Sequence, residues 1–374
     1  VEALRRAGEA IDRVHERMGE WLIAGRTEAA VGRDIADAIL DEGHAQVSFV
    51  IVGSGLAGLA CGLRLLDDGV KDVLVVTKED SLAGAGNSRL AGGQFLFPME
   101  DTDEGVQKMV DSFNVKSQGK GDADLTQLVC ANSKEANEWL VSHGCEFTEA
   151  AQVQPYDVLA VSAAPGGGSG MPALVDQMVS EYESAGGQEF VGAKLVDLVM
   201  DETTGAVAGV KVRTADGVRV LSAPQVVIAT GGYLANKGFM QASCGAEGDQ
   251  ILVRGKTTLT GDGLLAVERA GGMRIGTVGI ERSLHIAPVP PTMPALCPFS
   301  SAMYTVVVNS AGERFVDESL GYVAIGKSAY NQPGQTHALI FDSAALEELD
   351  VLKSDLDKFG NFGVEVPQAD TIED

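Results

Sequence analysis

One stretch restricts the fold more than any other: FVIVGSGLAGLACGLRLL, from Phe49 to Leu66. It opens on an apolar run suited to a strand buried on both faces, turns through three glycines and continues as a helix. Each glycine answers a steric demand. Gly53 permits the tight turn, Gly55 lets backbone approach a pyrophosphate, and Gly58 lets helix and strand pack closely. The helix N-terminus then offers N–H groups and the positive end of its dipole to an anion. After Gly69 a second apolar run, KDVLVVTK, completes a β-α-β unit. The pattern predicts a nucleotide-binding turn made of Gly53, Ser54, Gly55, Leu56, Ala57 and Gly58. The alternative is a Gly-rich turn without a ligand, against which the flanking strand and helix speak.

Further positions extend the expected site. Where the second strand ends, a carboxylate usually binds the adenosine ribose; here Thr77 stands there, with Lys78 beside it. A hydroxyl can accept and donate one hydrogen bond to the ribose, less strongly than a carboxylate. In GNSRLAGG, small residues beside Asn87 and Ser88 suit a backbone wrapped against a flat cofactor, with Ala91, Gly92 and Gly93 following. Two more Gly-rich turns, ATGG with Thr230 and Gly231, and TGDG with Asp262, come later, and Leu195 is counted with this set.

These pieces, together with VNSAGERFVDE, resemble the fumarate reductase/succinate dehydrogenase flavoprotein family from about Val47 onward. The family includes urocanate reductases and 3-ketosteroid dehydrogenases. The resemblance implies an α/β chain: a Rossmann-like FAD-binding domain, a capping α+β domain that is incomplete here, and a substrate between them. It implies hydride transfer between flavin N5 and a substrate CH–CH or C=C bond, with an electron donor or acceptor that the sequence does not identify. Succinate dehydrogenases hold FAD through a histidine; the nearest position here is Gly86, so non-covalent FAD is expected. The catalytic arginine of fumarate reductases falls near Tyr322, with no Arg-Asp pair following. That turns the comparison toward ketosteroid dehydrogenases, where tyrosines move the proton. Tyr322 is the leading proton-transfer candidate, a packing tyrosine being the alternative. His285 lies near the place of a substrate-binding histidine, and a structural histidine is the other reading. Arg314 either binds a substrate carboxylate or pairs with Asp317 or Glu318; the pairing is favoured.

The first residues read differently. LRRAGEAID, GRTEAAVGRDI and EGHAQVSF resemble the opening helices of the creatinase/Xaa-Pro aminopeptidase metallopeptidases. That family's metal ligands, two Asp, one His and two Glu, lie downstream of such helices, and none of their motifs follows here, so no metal site is expected. Two helices are expected over residues 1–45, the second capped by Thr27. The expected organisation is a helical leader over 1–46, an FAD-binding domain over 47–284 and a partial capping domain over 285–374, with the chain stopping inside the cap. An inactive fusion fragment with weak or absent FAD binding is the rival reading; a metallopeptidase is the other.

Composition narrows the partners. A net charge of −25 argues against nucleic acid and anionic membrane surfaces. Five scattered cysteines without a C-x-x-C pair read as free thiols in a reducing compartment, hence a cytoplasmic protein acting on a small molecule. No apolar run is long enough for a membrane span. Amphipathic helices are expected near 123–143 and 171–185, short strands from Lys194 to Gly232, a helix after TGDG, a strand-turn-strand at YTVVVNSAGERFVDE and a strand at HALIFD.

Overall fold

The structure is a computed structural model that describes residues 2–27, 31, 34, 47–84, 86–117, 119, 121–153, 156–166, 170–246, 248–251, 253, 255–274, 301–361 and 365–371. In chain order the elements begin with α1 (Glu2–Trp21), β1 (Phe49–Val52), α2 (Leu56–Asp67), β2 (Val73–Val76) and β3 (Gln94–Pro98). Next come α3 (Asp103–Ser117), α4 (Ala123–Ser142), β4 (Ala151–Val153), β5 (Tyr156–Ala163) and α5 (Met171–Ser184). Then follow β6 (Gln188–Phe190), β7 (Lys194–Met200), β8 (Val207–Thr214), β9 (Gly217–Ser222), β10 (Gln225–Ile228), α6 (Lys237–Cys244) and α7 (Asp262–Arg269). The last are β11 (Val306–Asn309), α8 (Tyr322–Tyr330), β12 (His337–Ile340), α9 (Ser343–Glu348) and α10 (Asp350–Asn361).

Packing divides the chain into two units that interleave in sequence. The first comprises residues 1–88, 175–232 and 261–274; the second comprises 89–174, 233–260 and 275–374. The sequence reading draws contiguous spans instead, because the stretches that leave for the second unit, 89–174 and 233–260, carry no local mark of where they pack.

In the first unit a parallel sheet runs in the order β10-β1-β2-β6. β1 and β2 lie inside it, which is why FVIV and VLVV carry no polar residue: Val50, Ile51, Val73, Val75 and Val76 are fully buried. β10, read from VVIATGG as a return into this sheet, pairs with β1 from Phe49↔Gln225 to Val52↔Ile228. α2 buries Leu59 and Leu63. At Gly62 an added Cβ would sit 2.7 Å from the ring of Tyr182 in α5. That tyrosine is itself fully buried, and its hydroxyl lies 2.8 Å from the carbonyls of Val73 and Gln188, tying β2 to β6. An antiparallel sheet, β7-β8-β9, shares a core with β1 and β2 through Leu195, Val210 and Val212. In the leader, α1 buries Val14 and Trp21 with Met18 and Val31 against them. Of the second expected leader helix, only Thr27, Val31 and Asp34 lie within the described residues.

The second unit has an antiparallel sheet, β3-β5-β4, and a two-stranded one, β11-β12. α4 and α6 start on side-chain caps: Asp122 accepts from Leu125 N at 2.9 Å, and Asn236 from Phe239 N at 3.2 Å. Four differences from the sequence reading appear here. α3 forms where the sequence reading names no element: Thr102 caps it through Gly105 N at 3.0 Å, and Val106, Met109, Val110 and Phe113 form its apolar stripe. β3, β4 and β5 also form where only a Gly-rich break was read. Of the strand-turn-strand, only β11 forms; its expected partner is a single bridge, Val308 to Arg314. The Asn309 side chain holds that turn, accepting from Ala311 N and Glu313 N at 2.9 and 3.0 Å, and β12 takes the edge of β11 instead. α9 and α10 follow β12, where the sequence reading named nothing before the polar tail.

Candidate functional site

The first unit collects most of the predicted positions at one end of its parallel sheet. β1 ends on Val52, and Gly53 leaves with φ +116°, a conformation that disfavours any residue with a Cβ. Its N–H donates to Val76 O at 2.8 Å, and Val52 O accepts from Ala229 N at 2.8 Å, so the turn is tied to both neighbouring strands. A Cβ on Gly53 would lie 2.2 Å from Ala229 O, and one on Gly58 would lie 1.8 Å from Gly53 O. The chain through Thr230 and Gly231 therefore runs close beside the turn, as the sequence motif requires.

α2 begins at Leu56 with Gly55 as its N-cap and no capping side chain on that residue. Among its first N–H groups, Leu56 N donates to Ser88 Oγ at 2.9 Å. The early N–H groups of a helix lack partners within the helix and, with its dipole, favour an anion. A Cβ on Gly55 would meet Ser88 Oγ at 3.4 Å, an ordinary contact, so the steric demand for glycine falls on Gly53 and Gly58 rather than here. Ser88 sits in a short 3-10 helix, Asn87–Leu90, which brings the half-buried Asn87 to the same region. Ser54 has a different task from Gly55. It is fully buried and donates to Leu82 O at 2.9 Å, fastening the loop after β2 to the turn.

At the end of β2, Thr77 is buried; its hydroxyl oxygen accepts from Glu79 N at 3.3 Å. Lys78 reaches Asp262, the first residue of α7, at 2.7 Å. Lys194 reaches the other oxygen of Asp262 at 3.2 Å. A carboxylate in a helix first turn is favoured by the dipole, and two lysines around it leave an excess of positive charge. Lys194 is the participant that sequence reasoning did not single out; nothing in its local pattern links it to a residue so far along the chain. Gly263 packs against this region so closely that a Cβ would fall 2.2 Å from Thr230 Oγ1. Leu195 is buried in the core with Val50, Val52 and Val76, so its side chain is engaged in packing. The tight turn at Gly53, the helix start behind it and the glycine approaches at Gly58 and Gly263 fit a dinucleotide such as FAD.

The remaining predicted positions belong to the second unit. Ala91 and Gly92 are exposed; Gly93 is buried, and its carbonyl accepts from Ala164 N at 2.9 Å. Tyr322 is half-buried at the first position of α8. Arg314 pairs with Glu318, with Nε–Oε2 at 3.0 Å and a second contact at 2.5 Å. Glu318 is buried and also accepts from Val307 N at 2.8 Å. The Arg314 hydrogen bond holds the Glu318 carboxyl below the usual range. This is the structural pairing the sequence reading favoured. His285 lies outside the described residues. Among those residues no group of three His, Cys, Asp or Glu side chains could hold a metal ion, and no helix is long and apolar enough to cross a membrane.

The family model described as FAD binding domain matches residues 48–358. The fumarate reductase (cytochrome) of Shewanella frigidimarina is 26% identical over 375 residues, covering 94% of this chain and 59% of that protein. The chain thus spans about three fifths of that relative's length. A probable dipeptidase, PepE, of Mycobacterium tuberculosis is 64% identical over only 58 residues, 16% of each protein. Among solved structures, a 3-ketosteroid-Δ4-(5α)-dehydrogenase from Rhodococcus jostii RHA1 superposes with a TM-score of 0.64 at 20% identity, covering 81% of this chain and 68% of its own. That likeness establishes the flavoprotein fold.

Proposed function

This chain belongs to the FAD binding domain family, whose cofactor is FAD, and on that premise we propose that it is a flavin-dependent oxidoreductase acting on the CH–CH or C=C bond of a small molecule. When bound, FAD supplies the hydride acceptor or donor at N5. The residues of this chain supply the rest. The observation that carries the reading is the tight glycine turn at the open start of α2, with Gly58 against Gly53 and Ser88 against Leu56. We place the pyrophosphate at this N-terminus, the ribose by Thr77, and the Lys78–Asp262–Lys194 cluster as the positive wall of the site. Non-covalent attachment is part of the proposal, argued from Gly86 standing where some relatives carry a histidine.

Tyr322 is proposed to give or take the proton on the carbon next to the one that exchanges hydride. Tyr322→Phe then lowers kcat about a hundredfold or more while the flavin spectrum stays unchanged. An unchanged kcat would make Tyr322 a packing residue. An electron donor or acceptor of unassigned identity completes the cycle. A cytoplasmic setting is proposed from free cysteines at positions 61, 130, 145 and 244, whose test is fractionation of the source cells.

The primary test is the visible absorption spectrum of the purified full chain, followed by acid precipitation. A yellow protein that releases FAD into the supernatant supports the reading and its non-covalent form. Colour retained by the precipitate overturns non-covalent attachment. A colourless protein that takes up no added FAD overturns the flavoprotein reading for this chain.

A further inference from the structure

The second unit contains a cleft of about 630 Å³, within the size range of small-molecule sites. It lies among the last turns of α4, the loop that follows it, and strands β3 and β5. Asn137 and Val141 stand one turn apart on α4 and both line it. Phe97 comes from β3, Ser162 from β5, and Phe147 and Glu146 from the loop. The loop is fastened in place: Thr148 N donates to Ala163 O at 2.8 Å, and Thr148 Oγ1 accepts from Ala163 N at 3.1 Å. Phe147 is held edge-on by Phe95, at 4.8 Å between centroids, and Phe95 is the register partner of Ser162 across the β3–β5 ladder. The loop side of the cleft is therefore fixed in place.

Two polar groups in its wall lack partners. Ser162 is 3% exposed, and its Oγ makes no hydrogen bond; the shielded Nδ2 of Asn137 makes none either. Buried hydroxyls and amides are nearly always paired, so two orphans on one cleft point to a partner supplied from outside the protein. The charge of the wall restricts that partner. Among its described residues Glu146 is the sole carboxylate and there is no lysine or arginine, so a carboxylate or phosphate would enter without a counter-charge. An amide N–H donates, and a serine hydroxyl donates or accepts. Phe97, Phe147 and Val141 supply the apolar remainder.

We infer that this cleft binds an uncharged, largely apolar molecule through its carbonyl or hydroxyl oxygen, with Asn137 and Ser162 as the polar anchors. The inference concerns the second unit alone and does not depend on the redox reading above.

The probe is 1-tetralone, a neutral aryl ketone, titrated into the full chain by isothermal calorimetry, with 1-naphthoate as an anion of similar size. The ketone binds, and the anion binds at least about tenfold more weakly. Ser162→Ala and Asn137→Leu each weaken the ketone by roughly fivefold to tenfold, the value of one hydrogen bond. Because the hydroxyl of Ser162 has no partner in the unliganded protein, Ser162→Ala leaves the thermal midpoint unchanged or raised. Absence of ketone binding, equal binding of the anion, or a Ser162→Ala protein with a lowered midpoint and unchanged affinity would each overturn the inference.

Discussion

Gly58 and Tyr182 show how much can rest on single positions. Gly58 has no room for a methyl group, since a Cβ there would lie 1.8 Å from a carbonyl oxygen fixed by the sheet. Gly58→Ala is expected to cost about 3 kcal/mol in a denaturant melt, at the upper end of overpacking effects, and to abolish flavin retention. Tyr182 contributes through polarity and volume together. Its hydroxyl reaches two carbonyls, and its ring fills the spaces that Gly62 and Gly187 leave. Tyr182→Phe should cost about 1–3 kcal/mol, the penalty for leaving buried carbonyls unmatched. Burial pushes the Tyr182 phenol above its ordinary range, so the folded state keeps a proton that the unfolded state releases. Its contribution is complete below about pH 10 and declines as pH rises beyond that. Comparing alkaline melts of the two proteins checks this: the Phe variant lacks that part of the decline.

The link between β11 and the 3-10 turn that precedes α8, Glu318–Leu320, rests on a carboxylate. Glu318 accepts from Val307 N in the strand and from Arg314 four residues before it. Its pKa is held down by Arg314, so the stabilisation is present above the unfolded carboxylate range and is lost as pH falls through the folded value. Arg314→Ala should flatten the acid limb of a stability–pH curve; an acid limb of unchanged slope would show that the pair contributes nothing. Elements of this kind differ in how plainly the sequence announces them. α2 and β1 are legible because strand, glycine turn and helix are contiguous and each residue type has one steric reason to be there. α3 carries a cap and an apolar stripe but sits among charged residues, Asp101, Asp103 and Glu104, that dilute the pattern. The second strand after β11 reads as a strand by composition, yet the Asn309 turn consumes the backbone groups it would have used. The Lys78–Asp262–Lys194 cluster was half visible: TGDG flagged Asp262, but its lysine partners are joined to it only by folding.

Across the whole chain, the two units interleave, and a bound cofactor stabilises whatever part of the fold its site requires. FAD at about one hundred times its dissociation constant should raise the unfolding free energy by about 2.7 kcal/mol, seen as a higher melting midpoint that rises with FAD concentration. A midpoint indifferent to FAD would mean that the glycine turn holds no cofactor. The order β10-β1-β2-β6 also carries a consequence for synthesis. β2 leaves the ribosome soon after β1, but the residues between Val52 and Gln225 must all be made before β10 can cover the other side of β1. At roughly 5–20 residues per second that interval is on the order of ten to thirty seconds. Throughout it, β1, a wholly apolar strand, presents an open edge of unpaired N–H and C=O groups. The growing chain is then at its most adhesive, because an open strand edge is a template on which another chain can pair.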